Sequence, residues 1–159
     1  MTIFNDRADA GQQLAAKLKS SYKDQKNTMI LALPRGGVPV AYEIAKALHL
    51  PLTVFLVRKL GLPGDEEVAM GAIAESDVCI LNQALIAQLS ITDQQIQPIL
   101  DQERKEINRR LQRYRQGKPL PNLSDQTIIL VDDGIATGTT CKAAIQALNF
   151  LSYPMHTFI

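Results

Sequence analysis

The sequence predicts an α/β fold in which an open, mainly parallel β-sheet is flanked by helices. Three short apolar runs, residues 29–33, 52–57 and 128–131, have the length and composition of strands that are buried on both faces. The first and the last of these runs lead into a glycine-containing turn and then into a helix-forming stretch. This alternation is typical of parallel sheets, because a helix returns the chain to the start of the next strand.

The composition is that of a globular chain with a single core. The sequence has 159 residues, of which 46% are hydrophobic and 21% charged, and its net charge of +1 argues against general coating of nucleic acid. No signal-peptide pattern is recognisable, and no apolar run is long enough to cross a bilayer. Cys79 and Cys141 lack metal-ligand spacing and fit a reducing compartment. We therefore expect one cytoplasmic domain over residues 1–159, with no membrane partner.

A helix is predicted ahead of the first strand, where Asn5 or Asp6 can cap it. The residues of its apolar face, which recur at helical spacing, are Ala8, Gly11, Leu14, Ala15 and Leu18. The expected role of this helix is packing.

The first strand ends in a turn that suits an anion. Arg35 lies between Pro34 and two glycines, Gly36 and Gly37, and a helix is predicted from about residue 39 to residue 49. The glycines let the backbone approach a ligand closely, and the guanidinium can donate two parallel hydrogen bonds to phosphate oxygens. Taken alone, an ordinary turn with an exposed arginine is the better interpretation of this stretch.

The most informative stretch is residues 127–140, in which a strand is followed by an acidic pair, Asp132 and Asp133, and then by a loop and a helix. The first-turn N–H groups and the dipole of a helix attract phosphate, and Gly138 lets the backbone close on an anion. The loop matches neither GxxxxGK[ST] nor GxGxxG. Two carboxylates repel a bare anion but suit the hydroxyls of a sugar phosphate. A generic strand-to-helix turn is the alternative.

The second strand is predicted to end at Arg58 and Lys59, ahead of a loop over residues 60–67 that is rich in glycine and acidic residues. Adjacent cations at a strand end are often merely solvated. Here they join Arg35 and the acidic pair as polar groups at three strand ends, where open parallel sheets bind ligands. Two cationic ends and one sugar-phosphate site suit a ligand with phosphate at both ends.

The middle of the chain is predicted to hold a short antiparallel pair of strands within residues 70–81 and then a helical insertion near residues 92–117. Thr92 and Gln95 form a capping box at the start of this helix, and Pro98 is expected to bend or restart it. The basic residues of its outer face are Arg104, Lys105, Arg109, Arg110, Arg113, Arg115 and Lys118. This face could contact RNA, an acidic protein or a second copy of the chain in a homodimer, but the pattern favours a solvated face.

These motifs resemble those of the type I phosphoribosyltransferases. Residues 127–140 resemble the phosphoribosyl-diphosphate signature, residues 33–37 the pyrophosphate loop, and residues 58–64 the entry to the catalytic lid. The nearest group is that of small bacterial phosphoribosyltransferases whose nucleobase is unassigned. The resemblance implies a glycosyltransferase of nucleotide metabolism. It would transfer a phosphoribosyl group from 5-phosphoribosyl 1-diphosphate to a nitrogenous acceptor such as a nucleobase, and release pyrophosphate.

The same resemblance implies roles for individual residues. Arg58 and Lys59 would be catalytic beside the departing pyrophosphate, which Arg35, Gly36 and Gly37 would bind. The acidic pair would hold the ribose hydroxyls. The residues that would bind the 5′-phosphate are Ile135, Ala136, Thr137, Gly138, Thr139 and Thr140.

Further features follow from the resemblance. Mg²⁺, the implied cofactor, would be bound to the diphosphate and the ribose hydroxyls with no direct protein ligand, and a lid near residues 59–69 would close over the site. A non-proline cis peptide is expected between Pro34 and Arg35 or between Arg35 and Gly36. Because successive strand side chains point to opposite faces, both acids can share one ligand only if the strand ends at about Val131.

Two departures from the family pattern keep an alternative open. Members that act on 6-oxopurines carry an aspartate where this chain has Ala136, so hypoxanthine and guanine are disfavoured. The C-terminal part is short, and residues 153–159 could form one strand, so the base pocket is incomplete or is built differently, for example by a partner chain. The alternative function is a non-catalytic, regulatory module that binds phosphoribosyl diphosphate or a nucleotide.

Overall fold

A computed structural model describes residues 3–135, 138–151 and 155–158, the last range by its backbone. In chain order, the elements are α1 (Arg7–Tyr22), β1 (Thr28–Ala32), α2 (Gly37–Leu48), β2 (Leu52–Val54), β3 (Val57–Leu62), β4 (Asp65–Ala74), β5 (Cys79–Leu81), α3 (Gln83–Gln88), α4 (Asp93–Arg115), β6 (Thr127–Val131), α5 (Thr139–Phe150) and β7 (Met155–Phe158). The predicted α/β class is therefore confirmed. No helix among the described residues is long and apolar enough to cross a membrane.

The chain divides into two compact units. The first contains residues Met1–Phe55, Pro121–Ala136 and Ser152–Ile159, and the second contains Leu56–Leu120 and Thr137–Leu151. The single domain expected over the whole chain stays a prediction.

The first unit is built on a parallel sheet with the strand order β2-β1-β6-β7. β1 and β6 pair over their full lengths, from Thr28 opposite Thr127 to Ala32 opposite Val131. α1 and α2 pack together closely, since a Cβ added to Gly11 would overlap the carbonyl oxygen of Val40. The buried side chains of this core include Ala15, Ile30, Ala32, Val40, Ala41, Ile44, Leu48, Ile129 and Val131. The predicted strands at 29–33 and 128–131 and the packing role of α1 are thus confirmed.

The second unit is built on an antiparallel sheet with the strand order β3-β4-β5, against which α4 and α5 pack. Its core side chains are Leu56, Leu60, Met70, Ile73, Ile96, Leu100 and Ile107. The antiparallel pair expected within residues 70–81 is confirmed as β4 and β5.

The strand predicted over residues 52–57 is wrong, because two strands share this segment. β2 ends at Val54 in the parallel sheet, and β3 begins at Val57 in the antiparallel sheet. The loop predicted over residues 60–67 is a β-hairpin, in which Leu62 pairs with Asp65. Gly64 has a φ of 81°, which is the left-handed conformation that this tight hairpin turn requires. The pairing of β3 with β4 can therefore continue up to the turn.

α4 confirms the predicted capping box at Thr92, but Pro98 does not restart the helix. Pro98 lies early in α4, where the missing N–H removes only the bond to the carbonyl of Gln94. The prediction that Arg115 belongs to an exposed basic face is also wrong. Its side chain is 8% exposed and forms an ion pair with Glu75, which is 3% exposed.

Glu75 is the acidic partner in this buried ion pair of the second unit. Its Oε1 accepts a hydrogen bond of 2.9 Å from the backbone N–H of Leu56, and burial raises its pKa while Arg115 opposes that rise. A buried carboxylate with these partners holds the start of β3 to the end of α4.

We expect the replacement Arg115→Met to lower the free energy of unfolding by about 3–5 kcal/mol, because Glu75 would lose its buried countercharge. Urea denaturation would measure this loss. Arg109→Met is the control: Arg109 pairs with Glu106 but is 58% exposed, so its replacement should cost less than about 1 kcal/mol. Equal losses in the two variants would contradict the assigned role of the buried pair.

Candidate active site

The pairing of β1 with β6 brings two of the predicted turns together in the first unit. The N–H of Leu33 donates to the carbonyl of Val131 at 2.8 Å, so the pairing continues past the end of β1. The turn that contains Arg35 and the acidic pair therefore begin at the same edge of the sheet. β6 ends at Val131, as the sharing of one ligand by both acids requires.

Both glycines of the first turn are needed for space. A Cβ on Gly37 would lie 2.7 Å from the carbonyl oxygen of Val131, and a Cβ on Gly36 would overlap the carboxylate of Asp133. Gly36 has a φ of −62°, which any residue can adopt, so close approach and not backbone conformation requires a glycine there. The peptide bond between Pro34 and Arg35 is cis, as expected. The side chain of Arg35 is exposed at this edge.

A residue that the sequence did not reveal completes this cluster. Arg7, the first residue of α1, donates from Nε and Nη2 to Oδ2 of Asp133, at 2.9 and 2.7 Å. The two residues are 126 positions apart, and Arg7 has no motif of its own. Only the cap at Asp6, which fixes the start of α1, could have placed Arg7 on a helix end.

The two acids have opposite electrostatic environments. The guanidinium of Arg7 lowers the pKa of Asp133, whereas burial raises the pKa of Asp132. Asp132 Oδ1 also accepts a hydrogen bond of 2.8 Å from the N–H of Asp133. Asp133 is thus held as an anion and can accept hydrogen bonds from hydroxyl groups.

The predicted phosphate loop continues into the second unit. Gly138 is the N-cap of α5, with a φ of 76°, and α5 begins at Thr139. Gly138 has no side chain that could cap α5, and the first-turn N–H groups of a helix suit an anion. The predicted site residues Ala136 and Thr137 lie outside the described residues.

Arg58 and Lys59 lie within β3 of the second unit, so their predicted position at the end of a parallel strand is wrong. Adjacent residues of a strand face opposite sides of the sheet. Arg58 Nε donates to Glu103 of α4 at 2.6 Å, whereas Lys59 Nζ approaches the carbonyl of Glu67 at 3.4 Å. The two cations therefore do not act as one pair, and Arg58 is already neutralised by a carboxylate.

Comparison with known sequences identifies relatives. The family described as "Phosphoribosyl transferase domain" matches residues 2–151. Two Mycobacterium tuberculosis proteins, from strains CDC 1551 / Oshkosh and ATCC 25618 / H37Rv, are each named "Putative phosphoribosyl transferase". Each is 44% identical to this chain over 146 residues, which are 92% of this chain and 32% of the relative. The chain thus spans about a third of the length of these relatives.

Comparison with solved structures gives the same fold. The protein TT1426 from Thermus thermophilus has a TM-score of 0.78 and 35% identity, over 98% of this chain and 73% of that chain. A hypothetical protein from Neisseria gonorrhoeae with bound ppGpp has a TM-score of 0.50 and 13% identity, over 99% of this chain and 65% of that one. The second likeness concerns the fold alone.

The close contact at Gly36 can be tested without a ligand. We expect Gly36→Ala to lower the free energy of unfolding by about 1–3 kcal/mol, because the added methyl group overlaps the carboxylate of Asp133. The displaced carboxylate should also lose Arg7, so its pKa should rise, as measured by carbon-13 NMR titration.

Gly134→Ala is the matched control for this variant. A Cβ at Gly134 meets no atom of the described residues within 4 Å, so neither stability nor the pKa of Asp133 should change appreciably. An unchanged pKa of Asp133 in Gly36→Ala would show that the described packing is wrong.

Proposed function

The chain belongs to the phosphoribosyl transferase family, and we propose that it transfers a phosphoribosyl group from 5-phosphoribosyl 1-diphosphate to a nucleobase or another nitrogenous acceptor. Pyrophosphate is the second product. The observation that carries this proposal is the contact between the two turns of the first unit. There an ionised Asp133 lies against Gly36, beside an exposed Arg35.

The chemistry requires groups of both signs. Cleavage of the anomeric carbon–oxygen bond leaves positive charge on the ribosyl centre, as in glycoside hydrolysis, while negative charge develops on the departing pyrophosphate. In the proposed site, Asp133 accepts hydrogen bonds from the ribose hydroxyls, and Asp132 lies next to it. Arg35 donates to the pyrophosphate, which the backbone at Gly36 and Gly37 can approach closely.

Lys59 and Arg58 are proposed to have different roles, because they face opposite sides of β3. Lys59 is the candidate for stabilising the charge on the leaving group, since no carboxylate in the described part of the chain pairs with it and its contact is a backbone carbonyl. Arg58 is 34% exposed and bound to Glu103, and we assign it to holding the hairpin of β3 and β4 on α4. That hairpin is the proposed lid. The proposed 5′-phosphate site comprises Ile135, Ala136, Thr137, Gly138, Thr139 and Thr140.

The side chains present fit a Mg²⁺ ion that arrives with the substrate. Among the described residues, no group of three or more His, Cys, Asp or Glu side chains could form a protein cage for a metal. By the resemblance to the family, the ion would be held by oxygens of the diphosphate and of the ribose hydroxyls, which are the hard ligands that Mg²⁺ prefers. When bound, it would neutralise charge on the leaving pyrophosphate. No described side chain is assigned to it.

A non-catalytic module that binds phosphoribosyl diphosphate is the second candidate function. It is favoured by the ion pair between Arg58 and Glu103, because this pair removes one of the two lid cations from the leaving group. Such a module would use the acidic pair and the phosphate loop but would not need Lys59.

Incubation with Mg²⁺, phosphoribosyl diphosphate and a panel of nucleobases tests the proposal. We expect pyrophosphate release with at least one base. Lys59→Ala should lower kcat by about 100-fold, because a charge that stabilises the leaving group acts mainly in the transition state. Asp133→Asn should mainly raise KM, because it weakens contact with the ribose.

The control for Lys59→Ala is Lys105→Ala, which removes an exposed lysine of α4 and should leave the rate unchanged. Binding of phosphoribosyl diphosphate without pyrophosphate release for any base would favour the non-catalytic module. Absence of binding at millimolar ligand would exclude both candidate functions.

A further inference from the structure

Arg7 is held in a fixed place by the start of α1. Asp6 caps this helix, and its side chain accepts a hydrogen bond of 2.8 Å from the N–H of Asp9. α1 then packs on α2 through the contact between Gly11 and Val40. Since α2 begins at the turn that contains Arg35, the backbone that carries Arg7 is connected to that turn through the packing of α1 on α2.

The ion pair between Arg7 and Asp133 is poorly placed to stabilise the fold. The side chains are 59% and 30% exposed, and ion pairs this open to water contribute little to stability. Its geometry is nevertheless specific, because Nε and Nη2 both donate to the same oxygen, Oδ2. The guanidinium thus leaves the second oxygen, Oδ1, outside the pair.

Three contacts hold Asp133, two of them at its carboxylate and one at its backbone N–H. Arg7 binds one oxygen, Gly36 lies against the group and leaves no room for a Cβ, and Asp132 accepts the backbone N–H of Asp133. Two of these contacts come from the turns to which the proposed function already assigns roles. The contact made by Arg7 comes from α1, a helix whose expected role was packing.

We propose that Arg7 is a positioning residue for the ribose, which fixes the carboxylate of Asp133 in the orientation that accepts hydrogen bonds from the sugar hydroxyls. This inference rests on the proposed function, because it gives Arg7 a task at the same site. Arg7 acts through Asp133 and does not itself touch the substrate.

Arg7 also favours the ionised form of Asp133, because it lowers the pKa of that carboxyl group. The charged groups that face this carboxylate are Arg7 from α1 and Asp132 from its own turn, and Arg7 has the larger effect and lowers its pKa. Without Arg7, the pKa of Asp133 should rise. Because an ionised carboxylate accepts hydroxyl hydrogen bonds more strongly than a protonated one, binding of phosphoribosyl diphosphate should then weaken at a higher pH than in the native protein.

The test compares Arg7→Gln with Lys17→Gln, which removes the same charge from an exposed site on the same helix. We expect Arg7→Gln to weaken binding of phosphoribosyl diphosphate by about 10- to 100-fold, because the carboxylate is no longer oriented. The acid limb of the binding profile should also move to higher pH. Lys17→Gln should change neither quantity. Arg7→Lys keeps the positive charge, so the pKa of Asp133 should stay lowered. Only part of the affinity for phosphoribosyl diphosphate should remain.

A double-mutant cycle separates positioning from direct contact. If Arg7 acts through Asp133, Arg7→Gln should have no further effect on binding in an Asp133→Asn background. A full additional loss would mean that Arg7 contacts the ligand itself and would overturn the inference. An unchanged carbon-13 titration of Asp133 in ligand-free Arg7→Gln would also overturn it. Failure of the native protein to bind phosphoribosyl diphosphate would instead count against the proposed function.

Discussion

The parallel pairing of β1 with β6 is the constraint on which the candidate site depends. Its register places Ala32 opposite Val131, and the bond from Leu33 to Val131 extends it by one residue. Both strands therefore end at the same edge of the sheet. The turn that follows β1 and the acidic pair that follows β6 can meet only because of this register, since a slip of one residue would turn every strand side chain to the other face.

The close approach of the two turns explains why glycines and charged residues occur together there. Gly36 and Gly37 provide space for Asp133 and for the carbonyl of Val131, so the sheet edge can present backbone and carboxylate together. Arg7 and burial then shift the pKa values of Asp133 and Asp132 in opposite directions. As a carboxylate, Asp133 can accept hydrogen bonds from the uncharged hydroxyls of a sugar phosphate. Asp132, whose pKa is raised, is the weaker acid of the pair.

The parts of the site that are local in sequence could be predicted, and those formed by distant contacts could not. The strand ends and their glycine-containing turns are encoded within a few residues, and the α/β fold and the acidic pair followed from them. Arg58 and Lys59 were misplaced, because a continuous apolar run does not show where a chain leaves one sheet for another. Arg7 was missed and Arg115 was wrongly placed on an exposed face, because their partners lie 126 and 40 positions away.

A crystal structure with phosphoribosyl diphosphate and Mg²⁺ would show whether the two turns of the first unit form one ligand site. The ribose hydroxyls should lie within about 3 Å of the Asp133 carboxylate, and the diphosphate should contact Arg35 and the backbone at Gly36 and Gly37. Arg7 should still bind Asp133. A ligand bound elsewhere on the chain, with this edge of the sheet empty, would contradict the account.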